Sequence, residues 1–196
     1  MAHGQAVRIR KLVDRALQCF FEGELEDALM QLAPALEATA KNRYPSEKPS
    51  PRTKRFLKDE RDLIYGLSTQ FRFCVEGDGA LIHGTDGELH RIIYKFIRCA
   101  QAHEAQIDFS KIVLGGDFGV ARIRISGASL EVPPDKYLIS SATVFSLIFL
   151  VVVAKENKQL PKTGLNIDFL GEQLSVDDYL GDKQKFMNLA MEKFVT

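Results

Sequence analysis

The chain has 196 residues, 45% of them apolar, 27% charged and 9% aromatic, values that suit a globular protein able to bury a core without cross-links. Its 26 basic and 26 acidic residues cancel, so global charge argues for neither nucleic acid nor membrane, and only a local patch could. Cys19, Cys74 and Cys99 are widely spaced with no CxxC, which argues against a disulfide framework or a zinc motif and for a reducing, cytoplasmic setting.

The N-terminal stretch lacks the apolar core of a signal peptide. Residues 7 to 22 carry Val7, Ile9, Val13, Ala16, Leu17 and Phe20 at spacings of three and four, an amphipathic helix with Gly23 as its stop. A second helical run begins with Glu24, Glu26 and Asp27, where the helix dipole favours anions. Pro34 should kink or divide it, because proline lacks an amide donor and crowds the preceding turn. "PSEKPSP", residues 45 to 51, reads as a loop, and helix returns from about 52 to 75. "ELHRIIYKFIRCAQAHEA" is a strong amphipathic helix with Leu89, Ile92, Ile93, Phe96 and Ile97 along one face.

Alternation and glycine-rich turns then suggest a small antiparallel β element at about 111–133, with "GGDFG" as its hairpin turn. "SSATVFSLIFLVVVAK" is too short an apolar run to span a bilayer, so it reads as a buried core helix capped by Ser140 or Ser141. After 160 comes a polar, irregular section and a last helix at about 182 to 194. The expected architecture is one mainly α domain over 1–196. Its helical bundle fills 1–158 with the small β insert inside, and 159–196 is a C-terminal extension ending in a helix.

Two groups of residues could carry chemistry. Arg98 and His103 lie five residues apart. Metal-free RNA cleavage needs a base of near-neutral pKa for the ribose 2′-hydroxyl, a histidine's task, and a cation to hold the pentavalent phosphate, an arginine's. On a straight helix five residues amount to about 140° of rotation, so one helix cannot aim both side chains at one phosphate unless it ends, bends or is completed by a second chain. The plainer reading is a solvated arginine and a core or interface histidine. The second group is basic: Lys41, Arg43, Lys48, Arg52, Lys54, Arg55 and Lys58 stand between residues 41 and 58 against the single acid Glu47. Within it Lys48, Arg52, Lys54 and Arg55 are candidate contacts to nucleic-acid phosphates, with a solvated loop and helix start as the plainer account. His83, Asp86, His90 and His103 do not fall at metal-ligand spacing, so no metal and no other cofactor is expected.

The segment "LHRIIYKFIRCAQAHEA", and the order of elements around it from about residue 5 to 158, resembles the R-x4-H helix and setting of HEPN domains. That resemblance implies a helical bundle that forms a homodimer around the R-x4-H helices. In its active members arginine and histidine from two chains make one metal-independent endoribonuclease cleft. Carried onto this sequence, the roles fall on Arg98 as phosphate clamp and His103 as general base, in a toxin or defence ribonuclease with RNA as substrate and a cognate antitoxin or other protein as partner. Cys99 follows the arginine where active members often carry asparagine, aspartate or histidine. The resemblance therefore leaves two readings open, an RNA-cutting enzyme and a non-catalytic binding or assembly module.

Overall fold

A computed structural model describes residues 3–68 and 137–195, together with 82–83, 94 and 112–115. The protein is mainly α-helical with small β elements. The first helix, α1 (His3–Phe21), buries Ile9, Val13, Ala16, Leu17 and Phe20, the stripe seen in the sequence. Gly23 does stop it. At φ 83° it donates to the Phe20 carbonyl while Glu24 N donates to Cys19 O, a Schellman closure that satisfies the last carbonyls.

Helix α2 (Leu25–Arg43) passes through Pro34 undivided. The missing amide and the ring clash cost roughly 3 kcal/mol. Leu32, Ala33, Ala35 and Leu36, all buried on either side of the proline, hold the two halves to one core and offset that cost. Prolines that read as a loop instead open α3 (Pro49–Asp59), because proline's fixed φ suits the first helical turn. The run expected to continue from there breaks at Glu60, and α4 (Arg61–Ser68) follows. Glu60 is 7% exposed, and its carboxylate takes Arg43 and Lys183.

Helix α5 (Ser141–Val153) is buried at all thirteen positions. Ser140 caps it, its Oγ accepting from Thr143 N at 3.1 Å. The helix is about 20 Å long at 1.5 Å per residue. Among the described residues no helix is long and apolar enough to cross a membrane. Its far end is also closed: Asn157 Nδ2 reaches Val151 O at 2.6 Å and Thr39 Oγ1 at 2.9 Å, and Gly181 N reaches Val152 O at 3.0 Å. Gly181 is required there, since its φ is 71° and a Cβ would stand 2.5 Å from that of Lys158.

Three short strands lead into α5. β3 (Tyr137–Ser140) lies between β1 (Ile82–His83), antiparallel to it, and β2 (Ile112–Gly115), parallel to it. β2 falls in the stretch read as a β insert, and its partner is the strand before α5, in parallel register; residues 116–133 lie outside the described residues. A second antiparallel pair lies in the tail. β4 (Asn166–Phe169) and β5 (Glu172–Ser175) form a two-residue hairpin with Leu170 and Gly171 at φ 55° and 85°. Asp168 Oδ1 accepts from Gly171 N, and positive φ at both turn positions matches the twist of the strands. α6 (Lys183–Val195) ends the chain's described part.

The tail is built into the core. Phe145 of α5 stacks on Phe149 at 4.6 Å and on Phe169 of β4 at 5.7 Å, while Phe149 meets Phe186 of α6 at 4.3 Å. Phe20 of α1 closes the group at 5.4 Å from Phe145. A buried arginine reinforces this closure from α1. Arg10, 1% exposed, pairs with Asp14 at 2.7 Å, with Asp177 at 2.7 Å, and with the Thr163 hydroxyl.

Burial pushes the Asp177 carboxyl up, but the amides of Gly164 and Thr163 and the Arg10 guanidinium outweigh it and hold the pKa below the usual carboxylate value. A depressed folded pKa gives stability that is present above the unfolded value and is lost as pH falls through the folded one. Asp177→Asn should therefore cost about 2 kcal/mol at pH 7, the scale of hydrogen bonds to a charge. Urea unfolding of both proteins across pH should show that difference shrinking below about pH 4. A difference constant with pH would mean that the Asp177 charge is not what binds the tail.

Candidate functional site

Arg98 and His103 lie outside the described residues, as do Asp86, His90, Cys99 and Glu104. Four residues before Arg98, Tyr94 is described, in helical conformation and half-buried. Lys54 of α3 holds its ammonium 5.2 Å from the centre of the Tyr94 ring, a cation–π distance. Tyr94 itself is thereby set against the helix that carries the basic residues.

Those basic residues divide sharply by fate. Arg52 is 7% exposed, with Nη2 on Glu37 at 2.8 Å and Nη1 on the Glu47 carbonyl at 3.3 Å. Arg55 is exposed but reaches Glu47 at 2.6 Å, approaches Asp59 at 3.8 Å and lies over the Tyr44 ring at 4.6 Å. Arg43 is wholly committed: Nε and Nη2 fork onto Glu156 at 2.9 Å, Nη1 takes Glu60, and the guanidinium lies 4.5 Å above Phe56. Burial works against its charge, and the bonds to Glu156 and Glu60 outweigh that and raise its pKa further. Lys48, like Lys41 and Lys58, is exposed. The arginines of the run that looked uniformly basic in one dimension are thus largely neutralised in three, while Lys41, Lys48 and Lys58 have no ion-pair partner among the described residues.

A cleft of about 380 Å³ opens between α1 and α2, with Arg52 of α3 also lining it. Gln5, Arg8, Ile9 and Leu12 face it from α1, at spacings that place them on one helical face. Pro34, Glu37, Ala38 and Lys41 face it from α2 by the same rule. The wall is cationic at Arg8, Lys41 and Arg52, acidic at Glu37, and apolar below. Gln5 donates to Asn42 Oδ1 at 3.3 Å, and two buried donors, Asn42 Nδ2 and Arg52 Nε, have no acceptor among the described residues. Of the cleft's polar residues, Lys41 and Arg52 stood out in the sequence, as members of the basic run. Arg8 sat off the apolar stripe like any solvated cation, and the pairing of α1 with α2 is what makes it a wall.

One group of described residues could approach a metal: Cys19, Glu22 and Glu24, with ligand atoms within 4.8 Å of one another. Burial raises the Cys19 pKa, which keeps the sulfur a thiol and opposes its use as a ligand.

The Lys54–Tyr94 contact is testable by a double-mutant cycle on thermal or urea unfolding. Lys54→Met, Tyr94→Leu and the double variant should yield a coupling energy of about 0.5–1 kcal/mol. A coupling indistinguishable from zero would separate the R-x4-H segment from α3.

No curated protein and no solved structure matches the chain. A family model described as Rv1289 matches residues 8–195, spanning α1 through α6. The chain belongs to the Rv1289 family.

Proposed function

We propose that the protein acts on RNA in the cytoplasm, cutting it without metal in a cleft shared by two copies of the chain. His103 serves as the general base that takes the 2′-hydroxyl proton, and Arg98 clamps and neutralises the pentavalent phosphate. The products are a 2′,3′-cyclic phosphate and a free 5′-hydroxyl. The observation that carries this reading is the seat of Tyr94 beneath Lys54. Arg98 follows four residues later in the sequence. The exposed lysines of the 41–58 stretch draw in the phosphodiester strand. HEPN-like architecture, a homodimer and a toxin or defence role with a cognate antitoxin belong to this same reading.

A second reading, a non-catalytic binding or assembly module, draws support from a different observation. Arg43, Arg52 and Arg55 are held by carboxylates rather than free for phosphates. Phe21 and Met191, 45% and 40% exposed, offer apolar area to a protein partner.

Incubation of the purified protein with single-stranded RNA in a chelator distinguishes them. Cleavage leaving cyclic phosphate ends is expected, with a loss of at least about a hundredfold in both His103→Ala and Arg98→Ala. Intact RNA with the folded wild type, or cleavage unchanged in both variants, would remove the enzyme reading and leave the module.

A further inference from the structure

We infer that the cleft between α1 and α2 is a binding site for a small phosphomonoester of nucleotide size. The inference stands apart from Arg98 and His103.

Three cations and one carboxylate share the wall. Arg8 and Lys41 are exposed, and neither has an ion-pair or hydrogen-bond partner among the described residues. In a chain of zero net charge, two unspent cations converging on one concave surface with a third behind them make a local field for an anion. Arg52 backs the wall. More than nine-tenths of it is buried, its Nη1 bond to the Glu47 carbonyl is long at 3.3 Å, and its Nε–H, itself buried, has no acceptor among the described residues. A buried guanidinium normally fills its planar fork, so one left short of acceptors beside the cleft keeps spare donor capacity for an oxyanion. Glu37 holds the other side of that fork through Nη2 and so fixes its plane.

The rest of the cleft defines the ligand's body. Leu12 and Pro34 give it an apolar side, and about 380 Å³ falls in the lower part of the range for small-molecule sites. Glu37 can accept a bond from a ligand hydroxyl or amine, and it repels a second phosphate. One terminal phosphate on a polar, partly apolar body meets all of these demands, and a continuous polyanionic strand does not.

Calorimetric titration and thermal unfolding test this with adenosine 5′-monophosphate, inorganic phosphate and adenosine as probes, and single-stranded RNA as the competing class. Adenosine 5′-monophosphate should bind and raise the melting temperature, more tightly than phosphate, with an affinity that falls as salt rises. Adenosine should bind far more weakly. Both exposed cations can be removed without touching the core, so Arg8→Gln/Lys41→Gln should stay folded and lose about tenfold per charge. Arg52→Lys keeps the charge but loses the fork, and should also weaken binding.

No binding of adenosine 5′-monophosphate at millimolar concentration would overturn the inference. So would equal affinity in the double variant, or adenosine or phosphate binding as tightly as the nucleotide. RNA binding that depends on Arg8 and Lys41, without binding of the mononucleotide, would assign the cleft to nucleic acid instead. Cleavage by Arg98 and His103 is scored in a separate assay, so failure of one reading does not conceal the state of the other.

Discussion

A helix enclosed on every side can leave no polar group to water, and Ser141–Val153 is enclosed at all thirteen positions. The surrounding structure follows from that demand. Its N-terminal amides need an acceptor, and Ser140 supplies one. Its last carbonyls need donors, and Asn157 and Gly181 supply them from two separate turns of the tail. Its apolar surface needs cover in all directions. α1, α2 and α4 give it on one side, and the hairpin and α6 on the other. Each fully buried valine, leucine, isoleucine or phenylalanine contributes on the order of 1.5–3 kcal/mol, so this one segment is a large contributor to the hydrophobic driving force.

Two arginines, Arg10 buried and Arg43 partly buried, tie the periphery to that centre. Arg10 joins α1 to the residues around Thr163 and Asp177, and Arg43 joins α2 to Glu60 and Glu156. Lys183 extends the second network to Asp62 and the start of α6. Pairs of this kind gain little over well-packed apolar residues, because desolvation offsets their attraction. What they set is position, since a charge displaced from its partner inside the protein is costly. These networks, and the pairing of Arg55 with Glu47, take up guanidinium groups that looked free in the sequence. They leave Arg8, Lys41 and the partly satisfied Arg52 as the cations of the α1–α2 cleft.

Much of this was legible in the sequence where one local cause decides the outcome. The apolar stripe of α1, its stop at Gly23, the cap at Ser140 and the buried α5 each follow from short-range pattern. Other features depend on what lies across the fold. Pro34 reads as a break, yet burial on both sides of it keeps α2 whole. Glu60 divides α3 from α4 because Arg43 and Lys183 hold its carboxylate, and both are far away in sequence. The β4–β5 hairpin was concealed by a turn of Leu170-Gly171, where a bulky residue takes the positive φ usually given to asparagine or glycine. The parallel partner of β2 could not be read at all, since pairing between distant strands leaves no local mark. Of the site residues, Arg52 was singled out for its charge and not for its burial. Arg8 and Glu37 became a site only through the packing of α1 on α2. Arg98 and His103 remain a reading of the motif and lie outside the described residues.

The central role of α5 is measured most directly by native-state hydrogen exchange. Amides of residues 144–153 should exchange only through global unfolding, at the free energy that urea denaturation gives for the whole chain. The amides of α6 should belong to the same cooperative unit. Exchange of 144–153 through a local opening several kcal/mol below the global value would contradict that role, because a helix with no free face cannot open while the elements around it stay in place.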